Sequence, residues 1–205
     1  LDAQRWTSIQ PLAEGLIASL PAQAGAPIRP RYTLPRVNEA FTLPSQVNYV
    51  GKAARLYEHG YTLHGSAMVA SKYLRTTHLW ERVRVMGGAY GGFCRFDPLS
   101  GVFTYVSYRD PNLLGTLANY DASGAFLRDN EVSASEVGRT IVGVIGELDT
   151  YLLPDAKGFT ALQRHLLNQT PDYRQKLRDE VLSTTARDLI QFADALDAVR
   201  DHGTV

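Results

Sequence analysis

A single cysteine, Cys94, stands in the 205 residues. That is too few for an internal disulfide, or for a zinc or iron–sulfur site built from several cysteines, and it reads most simply as a chain of a reducing compartment. No run of about 18 apolar residues is present, so no membrane span is expected. Neither sign of charge is in excess, with 21 Lys and Arg against 21 Asp and Glu. The overall field therefore points neither to nucleic acid nor to an anionic membrane, and any partner must be recognised locally. The chain opens on Leu1 with no basic, apolar and cleavage-site succession behind it, and reads as a fragment; a targeting peptide upstream stays open. The sequon Asn168-Gln169-Thr170 ends a helical pattern just before Pro171 and reads as accidental.

The common catalytic patterns are missing too. His78-Leu79-Trp80-Glu81-Arg82 resembles the inverted zinc-peptidase pattern H-x-x-E-H, but Arg82 occupies the place of the second histidine and cannot ligate zinc there. His59 and His64 are off the i,i+4 spacing that would bring two ligands together on a helix. Gly87-Gly88-Ala89-Tyr90-Gly91-Gly92 lacks the lysine and Ser/Thr of a phosphate loop and the spacing of a dinucleotide fingerprint. Cys94 lies between Phe93 and Phe96 in an alternating stretch, which suits a core thiol better than a nucleophile.

What is present reads as an α+β domain behind a linking segment. Leu12, Leu16, Ile17 and Leu20 share a helical face, with Pro11 expected in the first turn. Residues 21–46 hold five of the ten prolines and little periodicity, so 1–46 is expected to be a helix and extended link from a preceding domain. Residues 47–205 are expected to form the main domain. Strands are predicted over 46–57, 89–96 and 102–108, the last alternating Val102, Thr104 and Val106 against Phe103, Tyr105 and Ser107.

Helices are predicted from about 65 to 74 or beyond, from 112 to about 128, and over 134–148 behind the capping box Ser133/Glu136, with Val137, Ile141, Val142, Val144 and Ile145 largely inward. Thr170-Pro171 starts a further helix, Ser183-Thr184-Thr185 with Asp188 marks a break and restart, and Gly203 ends the last. The expected fold is an antiparallel sheet with helices packed on one face.

The stretch with most chemical content is 79–94. Four glycines there surround Tyr90 and follow Arg82 and Arg84. Glycine admits close approach and positive φ, so the pairs Gly87-Gly88 and Gly91-Gly92 suit a surface meant to be approached; a tight turn into a strand accounts for them equally. Arg84 offers a rigid cationic fork and Tyr90 a hydroxyl, which together can hold a peptide carbonyl and the oxyanion that develops on it. The plainer readings are a solvated helix-end charge and a packed strand aromatic.

The run Leu79–Cys94, with Tyr108-Arg109-Asp110-Pro111-Asn112-Leu113-Leu114, Leu153-Pro154-Asp155-Ala156-Lys157-Gly158 and Ile190–Leu196, resembles the last domain of the presequence-protease branch of the pitrilysin-like M16 metallopeptidases. That resemblance implies a clamshell of two halves, each of two α+β domains, around a chamber for unfolded peptides. It implies catalytic roles for Arg84 and Tyr90 at the scissile carbonyl, and close substrate approach at Gly87, Gly88, Gly91 and Gly92. Zinc and the general base are implied to reside in an N-terminal domain outside this chain, with no metal on the chain itself, so the fragment alone is expected to be inactive. Short unstructured peptides and the N-terminal half of the same protein are the implied partners, with no nucleic acid and no membrane, in the mitochondrial matrix or chloroplast stroma. Two other classes stay open: a non-catalytic structural M16-like domain, and a module that binds peptides by edge-strand pairing.

Overall fold

Alternation along residues 102–108 builds the centre of a three-stranded antiparallel sheet, in the order β1 (Gly51–Arg55), β3 (Val102–Tyr108), β2 (Gly91–Phe96). The structure is a computed structural model that describes residues 2–22, 25, 35 and 37–205. Its chain divides into two compact units, Leu1–Pro35 with Leu152–Gln163, and Arg36–Tyr151 with Arg164–Val205.

The first unit contains α1 (Ala3–Ser19) and most of α6 (Pro154–Leu166). Asp2 caps α1 by accepting from the Arg5 N–H. The helix therefore starts earlier than its apolar pattern suggests, and Pro11 lies in its interior, not in the first turn. Of the link expected over 21–46, residues 23, 24, 26–34 and 36 lie outside the described residues.

In the second unit the remaining helices are α2 (Ser66–Thr76), α3 (Leu114–Asp121), α4 (Ser123–Asp129), α5 (Ala134–Leu148), α7 (Pro171–Leu182) and α8 (Ala186–His202). One sheet face carries Ala54, Cys94, Phe96, Phe103 and Tyr105 into the core, where α2 covers β2 and α8 covers β1. The opposite face presents Phe93, Arg95 and Val106 to solvent. This is the α+β arrangement expected, with helices on one face. Phe192 of α8 packs on Phe103 at 5.8 Å, and the Tyr120 ring stacks on Tyr105 at 4.8 Å. Lys52 reaches from β1 into this buried layer, donating to Asp121 Oδ1 at 2.6 Å and to the Arg200 carbonyl.

The capping signals hold: Ser133 and Glu136 form the reciprocal box of α5, Thr170 caps α7, and Thr185 with Asp188 restarts the chain as α8. Four local expectations are corrected. β1 spans five residues instead of twelve, because its partner β3 begins at Val102 opposite Arg55; beyond that point the Leu56 N–H donates to Gly101 and the chain enters a 3-10 turn, Leu56–His59, that buries Leu56. The helix expected over 112–128 is two, re-aimed at Ala122. This turns Tyr120 under the sheet and lets Gly124 approach α8 so closely that a Cβ would lie 2.9 Å from Asp197 Oδ1 and 3.2 Å from the Ala193 carbonyl. Val142 is 73% exposed although its neighbours Val144 and Ile145 face inward. β2 starts at Gly91, so Tyr90 precedes the strand instead of lying in it.

Candidate functional site

Leu79 and Val83 are both fully buried, and from Trp80 to Val85 the chain runs as a π-helical turn closed by the Met86 N–H to the Glu81 carbonyl at 2.9 Å. One extra residue per turn re-aims the side chains relative to a regular helix. Trp80 and Arg84, four residues apart, lie together on the outer side, the Arg84 guanidinium carbon 4.1 Å from the centre of the indole ring. Arg84 is an exposed charge in the last turn of this helix that also lies over an aromatic face, and among the described residues no carboxylate pairs with it.

The chain then folds back. The Gly88 N–H donates to the Arg84 carbonyl at 3.0 Å and the Ala89 N–H to the Val83 carbonyl at 3.1 Å. A Cβ on Gly87 would lie 2.5 Å from the Val83 carbonyl oxygen, and Gly88 has φ +78°, so each glycine has its own backbone reason. Gly91 and Gly92 are buried. Cβ atoms there would collide with the Phe93 ring at 2.5 Å and with Val83 at 2.9 Å, so internal packing already demands glycine at both.

Tyr90 emerges from this turn 67% exposed, with its ring 5.7 Å from Tyr108 in an edge-to-face contact. Its N–H donates to the Tyr108 and Arg109 carbonyls, extending the pairing of β2 with β3 by one residue. A packed strand aromatic does not describe it. Tyr108 in turn meets Tyr49 edge to face at 5.5 Å, so three tyrosines line this end of the sheet. Arg84 and Tyr90 thus flank one glycine turn, both solvent-facing.

Sequence reasoning missed what holds that turn. Arg109 takes a left-handed φ of 49°, after which Asp110 is wholly buried. Its carboxylate accepts from the Asn112 N–H at 2.8 Å and from the Thr116 hydroxyl at 2.7 Å, and Asn112 Nδ2 donates to the Gly87 carbonyl at 2.5 Å. By pattern alone Asp110-Pro111-Asn112 reads as a helix opener. An Asx turn, with Asp110 accepting from the residue two ahead, is the local signature that could have found the corner.

His78, the first residue of the zinc-like run, is buried against Phe126 at 4.7 Å with Nε2 bonded to the Asn119 carbonyl at 2.8 Å. Burial lowers its pKa below the ordinary histidine value, with the Arg82 charge adding to the effect and the Asn119 carbonyl opposing it. His59 stacks on His202 at 4.3 Å, and His64 Nδ1 meets the Ser66 hydroxyl. Among the described residues no group of three His, Cys, Asp or Glu side chains is placed to hold a metal ion. These residues do not fit a zinc site. Cys94 is buried with its Sγ 3.3 Å from the Ser71 carbonyl, and burial pushes its pKa up to about 12, which makes it a core thiol. No helix among the described residues is long and apolar enough to cross a membrane.

The turn and the Asp110 corner both fall inside a stretch, residues 38–205, that matches the family model described as the PreP C-terminal domain. The chain belongs to that family. It is 56% identical over 170 residues to presequence protease 1, chloroplastic/mitochondrial, of Arabidopsis thaliana, a match covering 83% of this chain and 16% of that protein. It is 31% identical over 191 residues to the mitochondrial presequence protease of Emericella nidulans, covering 93% of this chain and 17% of that protein. The chain spans about a sixth of the length of these relatives. In fold it is similar to a protease from Helicobacter pylori, with a TM-score of 0.65 at 14% identity over 95% of this chain and 50% of that one. As a PreP C-terminal domain it joins an M16-like α+β fold to a solvent-facing arginine and tyrosine held by one turn.

Proposed function

We propose that this chain is the C-terminal part of a zinc metalloendopeptidase that degrades cleaved targeting peptides and other short unstructured peptides, and that Arg84 and Tyr90 contact the scissile carbonyl. The observation that carries the proposal is the pairing of family membership with two exposed hydrogen-bond donors, a guanidinium free of carboxylate partners among the described residues and a tyrosine hydroxyl, on either side of a pinned turn. Residues 47–205 are the last α+β domain in this reading, and 1–46 the approach from the domain before it. Zinc belongs to a part of the protein outside this chain. The names of the relatives support a mitochondrial matrix or chloroplast stroma setting.

The guanidinium and the Tyr90 O–H both donate, so both bind a carbonyl oxygen more strongly as negative charge develops on it. Standing in water, they gain little. Closure of the N-terminal half of the same protein over the peptide excludes water and makes the same donors worth several times more. The backbone at Gly87 and Gly88 runs alongside the bound peptide in this proposal, while Gly91 and Gly92, buried against Phe93 and Val83, support the turn from within.

The test uses the full-length protein. Tyr90→Phe and Arg84→Ala should each lower kcat by about 10- to 1000-fold, the range for losing one oxyanion donor, with unfolding midpoint and zinc content unchanged. Unchanged kcat in folded, zinc-loaded enzyme would reject the role and favour a non-catalytic structural or peptide-binding domain.

A further inference from the structure

Trp80 is a large aromatic that the core encloses only in part. Its neighbours Leu79 and Val83 are fully buried, whereas the indole is 47% exposed on the outer side of the π-helical turn. A large aromatic left at the surface is accounted for by what lies on it, and the Arg84 guanidinium sits 4.1 Å above the ring centre. Trp80 and Arg84 stand four residues apart, a spacing that brings side chains together on one side of a helix, and the π turn closed through Met86 and Glu81 keeps them there.

A long arginine side chain on a surface samples many rotamers, and a fork that must meet a carbonyl oxygen in one orientation loses rate when it does so. Arg84 has no carboxylate among the described residues to hold it. An indole supplies the alternative: its negative face attracts the guanidinium without neutralising it, more strongly than a phenyl or phenol ring does. Unlike a carboxylate, it also leaves the guanidinium N–H groups free to donate.

We propose that Trp80 is a positioning residue for Arg84, holding the guanidinium by its ring face in the orientation used on the substrate carbonyl. This rests on the role given above to Arg84. Trp80 itself touches no substrate; it acts through the arginine.

The experiment compares Trp80→Phe and Trp80→Leu, each alone and combined with Arg84→Ala, in the full-length protein, reading kcat, KM, the unfolding midpoint and the crystal structures. Trp80→Leu should lower kcat by about 2- to 30-fold, the range of a cation–π contact from exposed to desolvated, with KM changing less. Trp80→Phe should recover most of the loss. In the Arg84→Ala background Trp80→Leu should cost nothing further, and in its own crystals the Arg84 side chain should leave its place over residue 80. An equal loss in both backgrounds, or an unmoved guanidinium in Trp80→Leu crystals, overturns the proposal. If Arg84→Ala alone spares kcat, the oxyanion reading fails, and the crystals still decide whether Trp80 holds the arginine.

Discussion

The Asn112 carboxamide donates to the Gly87 carbonyl across 2.5 Å, so a side chain from the corner after β3 grips the middle of the turn that separates Arg84 from Tyr90. Asn112 is itself held by its N–H on the buried Asp110 carboxylate, which also takes the Thr116 hydroxyl. Two segments far apart in sequence are thereby locked at the end of the sheet where both candidate donors stand.

Removing the two ends of that chain should not cost the same. Asn112→Ala leaves the half-buried Gly87 carbonyl able to find water and should destabilise by about 0.5–1.5 kcal/mol. Asp110→Ala strands a buried hydroxyl and a backbone N–H that were bonded to a charge, and should cost about 2–4 kcal/mol. Urea unfolding of both variants checks the order, and a larger loss for Asn112→Ala would refute the arrangement.

The two glycines of the turn should differ as well. Alanine at Gly87 puts a Cβ 2.5 Å from the Val83 carbonyl and 2.9 Å from that of Arg82, and backbone atoms of a closed turn cannot yield. Alanine at Gly88 meets only Pro111 at 3.4 Å but must adopt φ +78°, at about 1–2 kcal/mol. Gly87→Ala should therefore be the more damaging, and Gly88→Asn milder than Gly88→Ala because asparagine tolerates left-handed backbone. Thermal unfolding of the three variants is the measurement.

Cys94 should resist alkylation. Only the thiolate reacts, and burial holds its pKa up at about 12 in the folded chain. Iodoacetamide at about pH 8 should label it slowly in the native protein and promptly once guanidinium has unfolded it. Prompt labelling under native conditions would contradict its inward, buried place on β2.

His78 should make the fold acid-sensitive. Its folded pKa lies below the ordinary value of 6.5, chiefly because burial penalises the charged ring. The unfolded chain therefore takes up a proton near pH 6.5 when the folded chain does not, and stability present above that pH is lost as pH falls toward the folded value. Unfolding free energies measured across this window should slope downward with acid, and His78→Gln should flatten that slope; an identical slope in the variant would place the sensitivity elsewhere.

Features encoded in adjacent residues are legible from the amino-acid order alone. The inward Phe103 and Tyr105 and outward Val106 follow from period-two alternation, the starts of α5 and α7 from Ser133 and Thr170 accepting the N–H three residues ahead, and the start of α8 from Asp188 accepting the Thr185 N–H three residues behind. The candidate donors are legible because glycine, tyrosine and arginine stand in one short run. The length of β1 is not, since it depends on where β3 begins, nor is the break at Ala122, which depends on how closely Gly124 meets α8.

The sequence by itself determined the α+β class, the helix starts and the chemical types around the glycine turn, because periodicity, capping and glycine conformation act over a few residues. Only the tertiary structure decided that Tyr90 stands just before β2 with its N–H on the end of β3 and its ring against Tyr108, and that Asp110 and Asn112 pin Gly87 from 25 positions and less away. Those relations depend on which segments meet once the core has closed, and no local pattern carries that information.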